Sequence, residues 1–542
     1  MSELNRHRLH QALRWCEDHT LYERILTRIP KQMREPRRAK LSKEDTEILR
    51  ALQKVKHEED LICFCNIFTV PELAKHRRRL IVEPILNDYI CKSDLAGIKL
   101  PTTEKLRSMA VRKYFIQFDA AAFFDQFPLT QQVARYFGIP MTHHQQSRQP
   151  GDTYRVLPMG FMPSCDVAQI TAEVLTDFVK DGVECVCYID NFFFAGDSKT
   201  AVDAAGAEFL RRCRACGVVI NLPDGSMPTP NNPPTVTYTD SADVLGEHYD
   251  FTAQTRCATS STMAKLKLAC EVIATQQQDL VSRRQIAAVF GLLFFATRVL
   301  DVSPAPFYFA MRFYREMASS TGLDEWDEVA PRLPSKALGE VQLWLQRIAL
   351  NIPVKILEVR KTSMYIFTDA SVWGYGGVII TPEGVSTTSV PWTNLDRCTF
   401  QLQFSAVAEP LGLERLLLQH VAPLSPPEQV EIFTDHKGLV WAGEKGYGKG
   451  FMYNKLLACL ATTYPEMSAK FHFIPGSENP ADPYSRGGEL TRSMDFQLLP
   501  SVLVGLGAPE RDVPVSGRRV FPPSFVSPPV YGAPFLSHPP MG

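Results

Sequence analysis

The chain lacks three things that would have classified it at once. It has almost no net charge, with 58 Lys and Arg against 59 Asp and Glu. It has no apolar stretch long enough to span a bilayer, the longest run being "IAAVFGLLFFA", about half of what a membrane helix needs. Its thirteen cysteines fall into no disulfide framework; a lone pair, Cys213 and Cys216, has no second pair nearby to complete a zinc site. Pairs such as Cys63/Cys65 and Cys185/Cys187 lie in apolar runs, as small buried residues do. With no signal peptide legible at the start, these absences lead to the expectation of a reducing, intracellular setting and no membrane partner. No internal repeat is visible.

What is present is an ordinary globular composition, 45% hydrophobic and 22% charged over 542 residues, enough for three or four domains of roughly 150 residues. The near-zero charge hides an imbalance. Residues 1–113 carry 24 Lys and Arg against 16 Asp and Glu, which suits a polyanionic partner and equally a solvated basic surface. Residues 1–60 read as a charged helical extension, and 61–255 as short apolar runs mixed with helical patterns, a sheet flanked by helices. The proline- and asparagine-rich stretch from about 223 to 241 reads as a loop or hairpin insertion. Residues 256–350 are amphipathic and helical, and 360–490 form a second strand-rich unit. Residues 491–542 are too rich in proline to pack as a domain.

Chemistry is concentrated in acidic residues set in apolar surroundings. In "CVCYIDNFFFAGD" Asp190 sits inside an apolar run with Asn191 beside it. An unpaired buried carboxylate costs several kcal/mol, so it is either protonated or held by a metal ion, and a metal ion calls for a second acid in a similar setting. "YFIQFDAAAFFDQF" supplies one, Asp119, at the end of another apolar run. Taken singly, each is more often a turn former than a ligand. Two Mg²⁺ ions ~3.5–4 Å apart held by such groups would clamp an in-line displacement at phosphorus. A second set follows: Asp369 in "MYIFTDASVWGYGGVI", Glu409 in "FSAVAEPLGLERLLLQ", Asp435 in "VEIFTDHKGL" and Asp482 in "FHFIPGSENPADPYSR".

These stretches together resemble a known family. "FDAAAFFDQF", "LPMGFMPSCDVAQ" and "YIDN" resemble motifs A, B and C of reverse transcriptases; "VLGEHYDF" is similar to the segment joining palm and thumb, and "KHRRRLIVEPILND" to the fingers strand. The D–E–D–D set resembles the ribonuclease H domain of retroelements. The gypsy-like, hepadnavirus-like and DIRS-like branches are nearest, with wording like that of trypanosomatid VIPER elements. The resemblance implies an α+β fold: a right-hand polymerase with fingers, palm, thumb and connection, followed by an α/β ribonuclease H-like domain. It implies RNA- and DNA-directed DNA synthesis with destruction of the RNA strand of hybrids, two Mg²⁺ ions per active site, and RNA template, DNA primer, RNA–DNA hybrid and dNTPs as partners.

Carried over residue by residue, Asp119 and Asp190 would hold ions, helped by the backbone at Ala120. Phe124 would exclude a ribose 2′-hydroxyl, Arg78 or Arg79 would meet the triphosphate, and Gly160 and Gln169 would line the nucleotide or template. Asp369, Glu409, Asp435 and Asp482 would hold the nuclease ions. Three departures stand out. Asn191 replaces the family's usual aspartate; its amide oxygen would still touch a metal ion but attracts a cation less, which opens Mn²⁺ as an alternative. No motif D lysine follows "CGVVINLPDG". Ser477-Glu478 stands where the nuclease family often has a histidine, with His436 and His472 misplaced for that role. Asn191 keeps two other readings open, an RNA-dependent RNA polymerase and a catalytically weakened RNA-binding scaffold; Phe124 and the four nuclease carboxylates speak against them. No aspartic-protease, zinc-knuckle or integrase pattern is visible.

Overall fold

The computed structural model describes residues 3–29, 49–50, 54–72, 77–139, 150–178, 181–275, 281–322, 325–358 and 360–488, with the side chains of 68–80 left out. The expected proline-rich segment 491–542 lies outside the described residues. The chain divides into two compact units, Met1–Thr255 with Lys355–Leu357, and Arg256–Val354 with Glu358–Gly542.

In the first unit, helices α1 (Glu3–Glu17) and α2 (His19–Leu26) bring Trp15 and Tyr22 into an aromatic core with Phe137 and Phe161, ring centroids 5–6 Å apart. Small sheets follow: β1 (Val55–Glu58) pairs with β5 (Gly151–Tyr154), and β2 (Cys65–Glu72) with β3 (Arg77–Pro84). Helix α3 (Thr103–Ala110) leads to the central sheet. That sheet is three-stranded and antiparallel: β4 (Tyr114–Asp119) and β6 (Val183–Tyr188) flank β7 (Asn191–Gly196). Strand β7 is "NFFFAG", buried from Phe192 onward because helices cover it. Phe209 of α5 (Lys199–Ala215) packs against Phe118 and Phe192 with ring centroids 5.2 and 4.6 Å away. Helix α4 (Ser164–Leu175) is tied to α1 by Arg8 and Glu173 at 2.7 Å. The "VLGEHYDF" segment is a hairpin of β8 (Ser241–Val244) and β9 (Glu247–Asp250); Leu245 and Gly246 both take positive φ, the primed turn whose twist matches its strands.

The second unit begins with four helices, α6 (Ser260–Thr275), α7 (Arg283–Val299), α8 (Tyr308–Ser320) and α9 (Ser335–Ala349). The longest apolar run of the sequence falls in α7, with Ile286, Val289, Phe290, Leu293 and Ala296 buried. Trp344 of α9 stacks on Phe307 at 4.7 Å and donates its indole N–H to Thr297 of α7. Among the described residues no helix is long and apolar enough to cross a membrane.

A five-stranded sheet follows: β10 (Thr362–Ala370), β11 (Gly374–Thr381), β12 (Gly384–Pro391), β13 (Gln429–Thr434) and β14 (Ser468–Phe473), lying in the order β12-β11-β10-β13-β14. The first three form an antiparallel meander, and β13 and β14 are added parallel to β10. Parallel addition requires crossover connections, which α10 (Ser405–His420), α11 (Lys437–Lys445) and α12 (Phe451–Thr463) supply. A short helix, α13 (Asp482–Ser485), closes the unit over β11.

Candidate functional site

The first constellation is built by strand register. Asp119 ends β4 directly opposite Asn191 at the start of β7, and the Ala120 amide donates to the Asp190 carbonyl at 2.8 Å. The tip of one hairpin and the end of the neighbouring strand thus carry both aspartates. They are not buried in strands, as the apolar run around Asp190 had suggested. Asp119 is exposed and Asp190 is half-buried, in the two-residue turn between β6 and β7. The run conceals this turn because neither Ile189 nor Asp190 is Gly or Pro. Ile189 itself takes φ +55°, an unfavourable conformation for a β-branched residue.

That strained tip is held from below by Gln169. Its amide oxygen accepts from the Ile189 N–H at 2.8 Å and its nitrogen donates to the Cys187 carbonyl at 3.1 Å. Gln169 is 2% exposed, so the expectation that it lines a nucleotide is corrected: it is a strut for the turn bearing Asp190. Ala120 is likewise buried, bridged to Ile220. Gly160 does serve a close backbone approach, but to Val82 of β3: its N–H donates to the Val82 carbonyl at 3.0 Å, and a Cβ would run into that oxygen. Phe124 is half-buried against the core, two residues beyond Ala122, which takes φ +44°. Arg78 and Arg79 pair through their backbones with Pro71 and Val70; their side chains lie outside the described residues.

Each carboxylate has an amide partner. The Asn191 side chain donates to Asp190 Oδ1 at 2.9 Å, and Asn221 donates to Asp119 Oδ2 at 2.6 Å. Asn191 was expected to offer an oxygen to a metal ion; here it offers a donor to its neighbour instead. Asn221 had been missed. It lies in the "CGVVINLPDG" stretch, where no periodicity marks it out.

The second constellation gathers at one end of the five-stranded sheet. Asp369 is the penultimate residue of β10, Asp435 follows β13, and Glu409 projects from α10, where Pro410 next to it removes one helical N–H. One oxygen from each lies within 4.8 Å of the other two. Asp369 and Glu409 are only 5% and 4% exposed; Asp435 and Asp482 are half-buried, so four fully buried charges are not found. Burial, with Asp369 and Asp435 alongside, pushes the Glu409 carboxyl well above its ordinary value. Burial also raises Asp369 and Asp435. Glu409 Oε1 accepts from the Ala370 N–H at 3.3 Å, while Oε2 is buried with no hydrogen-bond partner.

Asp482 stands beside this triad rather than within it, its charge reaching Asp369 and Asp435. It is placed by the segment following β14. Asn479 donates to the Thr368 carbonyl at 3.0 Å, and the Ser371 and Ser389 hydroxyls donate to the Ser485 and Tyr484 carbonyls at 2.7 Å. In the loop carrying Ser477 and Glu478, a Cβ on Gly476 would sit 2.7 Å from Asp435 Oδ2. His436 pairs with the Tyr453 hydroxyl at 2.6 Å, and His472 of β14 pairs with Glu431 of β13. Asn479, Ser485 and Arg486 were not singled out in the sequence; only their place beside Asp482 hinted at them.

A cation suits the donor set of the triad. Three carboxylates converge, two of them buried, and one buried oxygen has nothing to accept from. An ion there would satisfy groups that otherwise repel one another.

No curated protein matches the chain. Among solved structures, the foamy viral protease–reverse transcriptase in complex with dsDNA is similar at 14% identity, over 83% of this chain and 85% of that one, with a TM-score of 0.43. A foamy viral protease–reverse transcriptase dRH in complex with ds DNA shares 14% identity over 82% and 71%, at 0.42. The foamy viral protease–reverse transcriptase in complex with RNA/DNA hybrid shares 13% over 84% and 60%, at 0.43. Residues 45–223, which include Asp119, Asp190 and Asn191, match the family model for reverse transcriptase (RNA-dependent DNA polymerase), and over that span the chain carries a reverse transcriptase domain.

Proposed function

We propose that the protein is a two-activity enzyme of retroelement type, copying RNA into DNA in its first unit and cleaving the RNA strand of the resulting hybrid in its second. The observation that carries the second activity is the convergence of Asp369, Glu409 and Asp435 within 4.8 Å, with a partnerless buried oxygen on Glu409. These residues, with Asp482 beside them, would hold Mg²⁺ for the nuclease, and Asp119 and Asp190 would hold it for the polymerase. Bound there, the ions supply an acidified nucleophile and neutralise charge on the phosphate. The chain's own residues do the positioning. Gln169 holds the turn that presents Asp190, Asn221 and Asn191 orient the two polymerase carboxylates, and Phe124 would exclude a ribose 2′-hydroxyl. In the second unit, the α13 segment braces Asp482 against β10 and β11.

The test is primer extension on an RNA template with dNTPs and separately with NTPs, alongside cleavage of a labelled RNA–DNA hybrid. Extension with dNTPs and hybrid cleavage are expected. Extension with NTPs alone would favour an RNA polymerase, and neither product an RNA-binding scaffold.

A further inference from the structure

At the acidic end of the five-stranded sheet, one permanent cation among the described residues pairs directly with an acid of the cluster. Arg486, just after α13, places Nη2 and Nε 2.9 and 3.2 Å from the same oxygen of Asp482. Its charge also reaches Asp369 and Asp435. The other polar groups facing the cluster bring no fixed positive charge: His436 is bonded to Tyr453, burial pushes its imidazole down from the ordinary value, and Ser485 is neutral.

The four acids therefore fall into two classes. The triad is closely spaced, two of its three carboxylates are buried, and Glu409 Oε2 is buried without any partner. Asp482 is half-exposed and already paired. An ion entering the triad displaces no protein cation, whereas an ion taking Asp482 must displace a guanidinium that cannot deprotonate.

We propose that Arg486 is a resident counter-cation that competes with the second divalent ion for Asp482, making the two cation positions unequal. The proposal rests on the nuclease reading for the identity of the site, and its consequence is that the second position fills only at a higher ion concentration. An exposed i,i+4 pair is weak by itself. Removing the like-charge repulsion between guanidinium and divalent ion adds to the effect, so loss of Arg486 is expected to tighten the second position about threefold to tenfold.

The experiment is calorimetric titration of Mn²⁺ into the full chain without nucleic acid, in an Asp119→Asn/Asp190→Asn background that silences the other constellation. Arg486→Gln should tighten the weaker binding phase and leave the stronger one unchanged, and Asp482→Asn should remove the weaker phase. Superimposable isotherms for Arg486→Gln and its parent overturn the proposal, as does equal tightening of both phases. Should Arg486→Gln not melt cooperatively in EDTA, Arg486→Lys carries the test: the weaker phase must tighten less than threefold while still differing from the parent, and no difference overturns the idea. Hybrid cleavage is measured in parallel on the unmutated chain. Tightening without cleavage would remove the nuclease reading and keep the counter-cation; cleavage with unchanged isotherms would do the reverse.

Discussion

Burial gives the Glu409 carboxyl a raised pKa, and Asp369 and Asp435 are raised with it. An acid whose pKa is higher folded than unfolded stabilises the fold fully below the unfolded value, near pH 4. That contribution is lost as pH rises through the folded value. Without a divalent ion the second unit should therefore lose stability between acidic and neutral pH. Glu409→Gln should stabilise it at pH 7 in EDTA, on the order of 1–4 kcal/mol, and do little at pH 4. Calorimetric melts at the two pH values check this, and a variant destabilised equally at both contradicts it. With Mg²⁺ present the advantage at pH 7 should vanish. Asn191 provides a second case. It now donates to Asp190 at 2.9 Å, and Asn191→Asp replaces an attraction with two adjacent carboxylates. In EDTA the variant should be about 1–3 kcal/mol less stable, and added Mg²⁺ should stabilise it more than it does the parent. Melting temperatures that respond identically to Mg²⁺ would show that the amide plays no electrostatic part.

At the scale of elements, both constellations depend on close contacts between backbones. Gly376 of β11 lies under α13, where a Cβ would come 2.5 Å from the Tyr484 carbonyl carbon and strike the Ser485 amide. Gly376→Ala must lift α13, and with it Asp482 and Arg486, off the sheet. It should cost about 1–3 kcal/mol and reduce hybrid cleavage at least tenfold, while primer extension continues. Retained cleavage in a folded variant would mean that the placement of α13 does not matter. The sequence showed some of this architecture directly. The apolar runs ending at Asp119 and Asp369 marked strand ends, and the leucines around Glu409 marked a helix, because period and polarity changed there together. The turn at Ile189–Asp190 left no such mark: hydrophobicity runs straight through it, and a residue with no turn preference takes positive φ there while its N–H donates to Gln169. Asn221 and Arg486 were hidden for another reason. They lie 102 and four residues from the aspartates they touch, and either type of residue is ordinary on a surface.

For the whole molecule, the two acidic constellations sit in different compact units, Asp119 and Asp190 in the first and Asp369, Glu409 and Asp435 in the second. Their hydrophobic cores are also separate: the aromatic cluster of Phe118, Phe192 and Phe209 belongs to one, and the packing of Ile366, Ile432 and Leu413 to the other. Substitutions removing one charge at the end of a strand or in a turn disturb neither core, and sites that belong to separate cores should act independently. Asp190→Asn is expected to reduce primer extension by at least a hundredfold and leave cleavage of a pre-formed RNA–DNA hybrid within about twofold. Asp435→Asn should do the opposite. Each loss corresponds to about 3 kcal/mol or more of transition-state stabilisation, as expected when a charged group at the reacting phosphate is removed. The decisive measurement sets both variants beside the unmutated chain in the two assays under one ion concentration. If Asp435→Asn depresses extension as strongly as cleavage while the protein stays folded, the carboxylates of the second unit are not a separate catalytic centre, and the division of labour between the units has to be abandoned.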